Sequence, residues 1–299
     1  SIEMAGKLRV VGFIGYGTIA EAIVDGICGR GVQQRLKFVE QIHISRRSAT
    51  RSERAQRMYS CVTVHEHNQT IVDRVREGQG TLFLSVLPAQ LMEVLGQLEG
   101  LRQVPVVATV VSSVPAHAVA SRLGIEECVK AVPMPPVSRR EGATVMIRES
   151  APDEPVYTLF SHLGSVVRVK DEQEMRPLQS VTCMAGTLYG FLETQRKWVL
   201  ENSSHLDADD ATKFLIDLNV GLLQDLQTLF PDHRAHTMRH VIQEQTPGGF
   251  NERALAHNQP ALEMIRHSLN DAHTRFQNSD VPPATPLSCA PPSAAGPDL

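Results

Sequence analysis

The chain has 299 residues, 29 Lys and Arg against 33 Asp and Glu, a net charge of -4 and 42% apolar side chains. That length suits two domains of ordinary size, and the mild acidity argues against nucleic acid as a partner, because a phosphate-binding face has to be basic. No run approaches the roughly 18 apolar residues of a membrane span, and the glycine-broken stretch VVGFIGYGTIA has no signal-peptide cleavage pattern. The expected setting is therefore the cytoplasm, with no membrane partner.

In chain order, the run LRVVGFI reads as a strand, TIAEAIVDGICG as a helix, and QIHIS, TLFLSVL, VPVVATVV and ATVMI as further strands separated by helix-like stretches. Nearly continuous Val, Ile and Leu runs fit a parallel sheet covered on both faces, an α/β domain over residues 1–170. From about Glu172 the pattern turns helical. Val181, Met184, Ala185, Leu188 and Leu192 recur at helical spacing, as do Leu215, Leu218, Leu222, Leu226 and Leu229, with Asp207 placed to cap the second helix. Residues 171–280 read as an all-α domain. Six of the 18 prolines fall in residues 281–299, which lack Lys, Arg and apolar periodicity and read as a disordered tail. The cysteines Cys28, Cys61, Cys128, Cys183 and Cys289 are odd in number, with no C-x-x-C pair, and point to free thiols.

Between the first strand and helix lies Gly15-Tyr16-Gly17-Thr18-Ile19-Ala20, the G-x-G-x-x-A form of the dinucleotide fingerprint. Gly15 permits the tight turn and Gly17 a close approach of pyrophosphate. Ala20 lets helix and strand pack, leaving the N–H groups of Thr18 and Ile19 for the phosphates. An NAD enzyme places Asp or Glu just past the second strand, for the ribose 2'-hydroxyl; this chain offers Ser45, Arg46, Arg47 and Ser48 there, which suits the 2'-phosphate of NADP and NADPH. Glu40 precedes that strand and belongs to the wrong end of the sheet. The same arginines, with Arg51, Arg54 and Arg57, also fit a solvated basic turn and helix face.

With these motifs in place, the chain resembles the pyrroline-5-carboxylate reductase family. FIGYGTIAEAI is similar to the family's F-I-G-x-G-x-M-A-x-A-I, SRRS to S-N-R-S, and Asn68 stands at the position of a ribose-side asparagine. LFLSVLP is similar to V-F-L-A-V-K-P, which places Ser85, Leu87 and Pro88 under the dinucleotide. VPMPPVSRREGATVMI is similar to V-M-P-N-T-P-x-x-x-x-E-G-A-T, CMAGTLYGF to S-G-S-G-P-A-Y-x-F, and QTPGGFNE to S-P-G-G-T-T. The resemblance implies a Rossmann domain followed by a helical dimerisation domain, a homodimer with interlocked subunits, and hydride transfer from NADPH to a cyclic imine in proline biosynthesis.

The chain departs from the family where the substrate is expected. The family lysine of A-V-K-P is Leu87, and the asparagine and threonine of P-N-T-P are Met134 and Pro135. G-S-G-P is replaced by Met184, Ala185, Gly186 and Thr187. Thr246 keeps a hydroxyl where the family holds the substrate carboxylate, with Gly248 and Gly249 expected to leave N–H groups open, while Asn251, after the bulky Phe250, replaces the imine-binding threonine. Asn251, Thr246 and Tyr189 are thus the candidate catalytic residues, and Gly248, Gly249, Phe250, Met134 and Thr187 the candidate substrate contacts. Each also has a plainer role: Asn251 and Thr246 as turn and cap residues, Tyr189 in an apolar stripe, Met134 as gap filler.

Reducing a C=N bond takes a hydride and a proton, and a cyclic imine is basic enough to exist partly as the iminium. Positioning alone can supply roughly 7 to 11 kcal/mol, so the absence of a Ser-His-Asp or paired-carboxylate constellation does not count against an enzyme. Two other readings are a β-hydroxyacid dehydrogenase-like oxidoreductase, with Lys197 and Asn202 as its lysine and asparagine, and a non-catalytic NADPH-binding sensor or scaffold. His233, His236 and His240 share helical spacing and His65 and His67 strand spacing, but neither set is completed by another ligand, so no metal is expected.

Overall fold

A computed structural model describes residues 7–29, 34–46, 49–147 and 153–278. Arg47, Ser48, Cys289 and the proline-rich stretch 281–299 lie outside the described residues. Contacts divide the chain into two units, one running through Gln179 and taking in the end of the last helix from Arg275, the other Ser180–Thr274.

The first unit is one eight-stranded sheet. Its strands are β1 (Val10–Ile14), β2 (Gln41–Ser45), β3 (Val62–His65), β4 (Thr81–Leu84), β5 (Val106–Thr109), β6 (Val129–Pro133), β7 (Gly142–Ile147) and β8 (Gly164–Val169), in the order β3-β2-β1-β4-β5-β6-β7-β8. β1 to β6 run parallel; β7 pairs antiparallel with β6, and β8 parallel with β7. The expectation of a wholly parallel sheet is corrected at this edge. Between β6 and β7 the chain makes a short 3-10 turn at Pro135–Arg139 instead of a helical crossover, and such a connection can only return the chain antiparallel.

The helices in chain order are α1 (Thr18–Cys28), α2 (Ala49–Met58), α3 (Asn68–Glu77), α4 (Pro88–Gly96), α5 (Ala116–Leu123), α6 (Asp153–His162) and α7 (Glu172–Thr182). Pleat alternation divides the core between the two sheet faces. Val11 and Phe13 of β1 join Ile23 and Ile27 of α1 and Phe160 of α6 on one face, with Phe13 and Phe83 stacked at 5.1 Å. Val10 and Ile14 join Ile71 and Val75 of α3, Leu91 of α4 and Val119 of α5 on the other. Burial of both faces explains the unbroken apolar runs of the central strands.

The second unit is helical: the end of α7, then α8 (Ala185–Glu201), α9 (Ala208–His233), α10 (Thr237–Gln243), α11 (Phe250–His257) and most of α12 (Gln259–Gln277). Asp207 caps α9 as its position suggests, its carboxylate accepting from the Asp210 N–H at 2.8 Å. The leucine stripe of α9 is another matter. Leu215 is buried, but Leu218 and Leu222 are 43% and 55% exposed. Among the described residues no helix is long and apolar enough to cross a membrane.

Candidate functional site

The strand order reverses at β1, so the crevice beyond the carboxyl ends of β1 and β4 is the topological switch point at which open α/β sheets bind ligands. The chain leaves β1 through Gly15, whose φ of +90° a side chain rarely adopts and whose β-carbon position lies 2.5 Å from the Ser85 carbonyl oxygen. Gly17 then caps α1 with no side-chain hydrogen bond and with nothing within 4 Å of its β-carbon position. The first turn of α1 is therefore uncapped by side chains and open to an approaching anion. Ala20 is fully buried where helix and strand meet.

The side of the crevice toward β2 is built around Ser45. Its buried hydroxyl accepts from the Gly15 N–H at 2.9 Å and lies 2.6 Å from Asn68 Oδ1 and 3.2 Å from the Phe13 carbonyl oxygen, tying the β1 turn, the end of β2 and the start of α3 together. Of the expected cofactor residues, Gly15, Ser45, Asn68 and Ser85 thus converge through shared contacts, beside Gly17, Thr18 and Ile19. Tyr16 points the other way: it is 1% exposed and packs in the core, and burial raises its phenol well above the ordinary tyrosine range. Only its backbone lines the turn. Leu87 is 61% exposed and caps α4, with Pro88 as the first helical residue.

Arg46 follows β2 as expected, but it is not simply solvated. Its guanidinium pairs with Glu66 and, at 3.1 Å, with Glu53; the pull of Glu66, then Glu53, raises its pKa further. Arg51 and Arg54 are not part of a basic solvent-facing turn either. Arg51 Nη1 donates to Thr18 Oγ1 at 2.8 Å, and Arg54 Nη1 to Glu21 Oε1 at 2.7 Å, so α2 is fastened to the first turns of α1. Arg51 is thus a cation beside the open helix start, which sequence spacing did not single out.

Within the second unit, Thr246, Gly248, Gly249, Phe250 and Asn251 form one turn leading into α11. The expectation that Gly248 and Gly249 hold open N–H groups is corrected. The Gly248 N–H donates to Glu252 Oε2 at 2.6 Å and the Gly249 N–H to the Thr246 carbonyl at 2.8 Å, because a carboxylate in a helix's first turn is drawn to the positive helix end. Thr246 and Asn251 are exposed, and Phe250 is 89% exposed. Tyr189 and Thr187 lie on the exposed surface of α8, which removes the core role considered for Tyr189. In the first unit, half-buried Met134 holds the start of the 3-10 turn, its N–H donating to the Ala143 carbonyl at 3.0 Å.

Lys197 pairs with Glu193 at 3.9 Å, and Asn202 Nδ2 donates to the Trp198 carbonyl at the end of α8. The histidines pair differently from their sequence spacing. His233 ends α9, His236 lies in a 3-10 turn, and His240 in α10 stacks on His233 at 3.6 Å. His65 meets His43, at 3.0 Å between Nε2 and Nδ1, and not His67. Among the described residues no group of three or more His, Cys, Asp or Glu could hold a metal ion.

Residues 10–112 match the family described as NADP oxidoreductase coenzyme F420-dependent. No curated protein matches the sequence. Among solved structures, the chain is similar to pyrroline carboxylate reductase from Plasmodium falciparum with NADP bound, at 14% identity and a TM-score of 0.73 over 92% of this chain and 99% of that one. It is also similar to 1-pyrroline-5-carboxylate reductase from Streptococcus pyogenes, at 16% identity and 0.72 over 90% and 98%. A reductive aminase from Aspergillus terreus in complex with NADPH and ethyl-5-oxohexanoate aligns at 14% identity and 0.54 over 92% and 94%. A Rossmann domain followed by a helical region, matched over nearly the whole of both reductases, gives this chain the fold of the pyrroline-5-carboxylate reductases.

Proposed function

We propose that this protein is an NADP-dependent oxidoreductase that reduces the C=N bond of a small cyclic imino acid, pyrroline-5-carboxylate or a close relative. The observation that carries the reading is the open start of α1 at the switch point, with Arg46 where an NAD enzyme would place a carboxylate. The NADP and NADPH named with the Plasmodium and Aspergillus structures support the same cofactor. The N–H groups of Thr18 and Ile19 would hold the pyrophosphate, Ser45 and Asn68 would border the adenosine ribose, and a 2'-phosphate would take Arg46 over from Glu53 and Glu66. When bound, NADPH supplies the hydride. The chain's own task is to orient the imine and to offer Thr246 to its carboxylate and Asn251 to its nitrogen.

The same reading makes the protein a homodimer through its helical unit, and the free cysteines among the described residues, Cys28, Cys61, Cys128 and Cys183, fit a cytoplasmic setting. The test is NADPH oxidation with pyrroline-5-carboxylate beside six-membered and substituted cyclic imines. Turnover of any of these supports the reading, and the preferred ring identifies the substrate. A second reading, an NADPH-binding sensor, is favoured by Leu87 and Met134 standing where the family has lysine and asparagine. It requires tight NADPH binding with no turnover across the panel.

A further inference from the structure

The β5–α5 loop, Val110–Pro115, is held by side chains that no part of the reading above uses. Lys130 of β6 is 3% exposed, and its ammonium donates to the Val114 carbonyl at 3.0 Å and to Glu172 Oε2 at 2.9 Å. The other oxygen of the same carboxylate accepts from the Ala116 N–H at 2.8 Å, at the start of α5. Two turns further along the same face of α7, Gln179 is 1% exposed and donates to the Ser112 carbonyl at 2.8 Å. Three side chains from two elements thus hold the loop at the Ser112 and Val114 carbonyls and at the Ala116 N–H where it enters α5. A buried lysine is costly unless paired. Burial pushes its pKa below the ordinary lysine range while Glu172 pulls it back, so a segment that needed only to be covered would be held more cheaply by apolar packing.

The loop's position says what it is for. Lys130 stands level with Thr109, Thr109 with Leu84, and Leu84 with Ile14, all in the row at the carboxyl edge of the sheet. The Val110 N–H donates to the Leu84 carbonyl at 3.0 Å, so the loop leaves the sheet beside the β4–α4 turn. With pyrophosphate on α1 and the adenosine half toward Ser45 and Arg46 on β2, the other half of a dinucleotide must extend over β4 and β5.

Resting on the dinucleotide reading, we propose that Lys130, Glu172 and Gln179 are positioning residues that clasp the Val110–Pro115 loop as the surface on which the nicotinamide half of the cofactor lies. The test compares calorimetric affinities for NADPH and for 2'-phospho-ADP-ribose, which lacks the nicotinamide. Lys130→Met should weaken NADPH about tenfold and Gln179→Ala a few-fold, while 2'-phospho-ADP-ribose changes by less than about twofold in both. Gln179→Ala leaves the buried ion pair intact and carries the test should Lys130→Met fail to fold. Equal weakening of both ligands, or no weakening of either, would overturn the clasp. Wild-type protein that binds neither ligand would instead overturn the dinucleotide reading, and the clasp with it.

Discussion

A β-carbon at Gly15 would lie 2.5 Å from the Ser85 carbonyl oxygen at a φ of +90°, whereas one at Gly17 would meet nothing within 4 Å. The two glycines of one motif are therefore needed for different reasons, and their alanine variants should separate. Gly15→Ala combines left-handed strain of about 1–2 kcal/mol with a backbone clash, and should cost about 2–4 kcal/mol of stability. Gly17→Ala should change stability by less than about 1 kcal/mol, the cost of a poorer cap. It should nevertheless weaken NADPH about tenfold, because its methyl group fills the space the pyrophosphate needs. Thermal melts and a fluorescence titration of NADPH read the two quantities. A Gly17→Ala protein that binds like the wild type would remove the phosphates from the start of α1. This half of the site was legible in the sequence because its residues are adjacent in the chain and glycine has few other reasons to recur there. Lys130 was not, since its partners Val114 and Glu172 lie 16 and 42 residues away and one lysine in an apolar run announces no partner.

At the scale of elements, β2 and β3 are joined by backbone pairing, by shared apolar packing of Ile42, Ile44 and Val62, and by a side-chain hydrogen bond between His43 and His65. His43 is 6% exposed with its Nε2 buried and unpartnered among the described atoms, and burial, then His65, then Arg74 lower its pKa to about 4 from the ordinary 6.5. His65 shifts the same way, through burial and then Arg74. In the window between 4 and 6.5 the unfolded chain binds the proton and the folded one does not. Stability from His43 is then complete above 6.5 and falls as the pH drops through the window, by up to about 3 kcal/mol. The melting temperature should fall between pH 7 and pH 5, and His43→Leu should flatten that dependence; an unchanged slope in the variant would exclude the pair as its source. The strands that escaped sequence reading share a physical cause. β3 and β8 form the sheet edges and carry polar residues on an open face, and β6 is interrupted by Lys130 and Pro133, whereas β1, β2, β4, β5 and β7 appear as apolar runs. Strand direction at β7 was hidden as well, because it is set by the connection and not by the strand's own residues.

At the scale of the whole molecule, apolar exposure is unevenly divided. Among the described large apolar side chains that are exposed, only Met58, Leu87, Met92 and Val167 precede Ser180; the others belong to the helical unit, among them Phe191, Trp198, Phe214, Leu222 and Phe230. Scattered exposed leucines are ordinary, but a unit that leaves its own periodic stripe uncovered has the composition of an interface and not of a solvated surface. The α9 helix shows it most directly. A sequence stripe at core spacing, with a working N-cap, yields a helix whose Leu215 alone is buried along that stripe's first half, while Leu218 and Leu222 remain open. We propose a second copy of the same unit as the cover, as closed two-fold pairing requires nothing beyond the chain itself. Light scattering coupled to size exclusion should give twice the 32.9 kDa chain mass, and Phe214→Asp with Leu222→Asp should shift the species toward the monomer. A wild-type protein that stays monomeric at high concentration would assign those side chains to another partner.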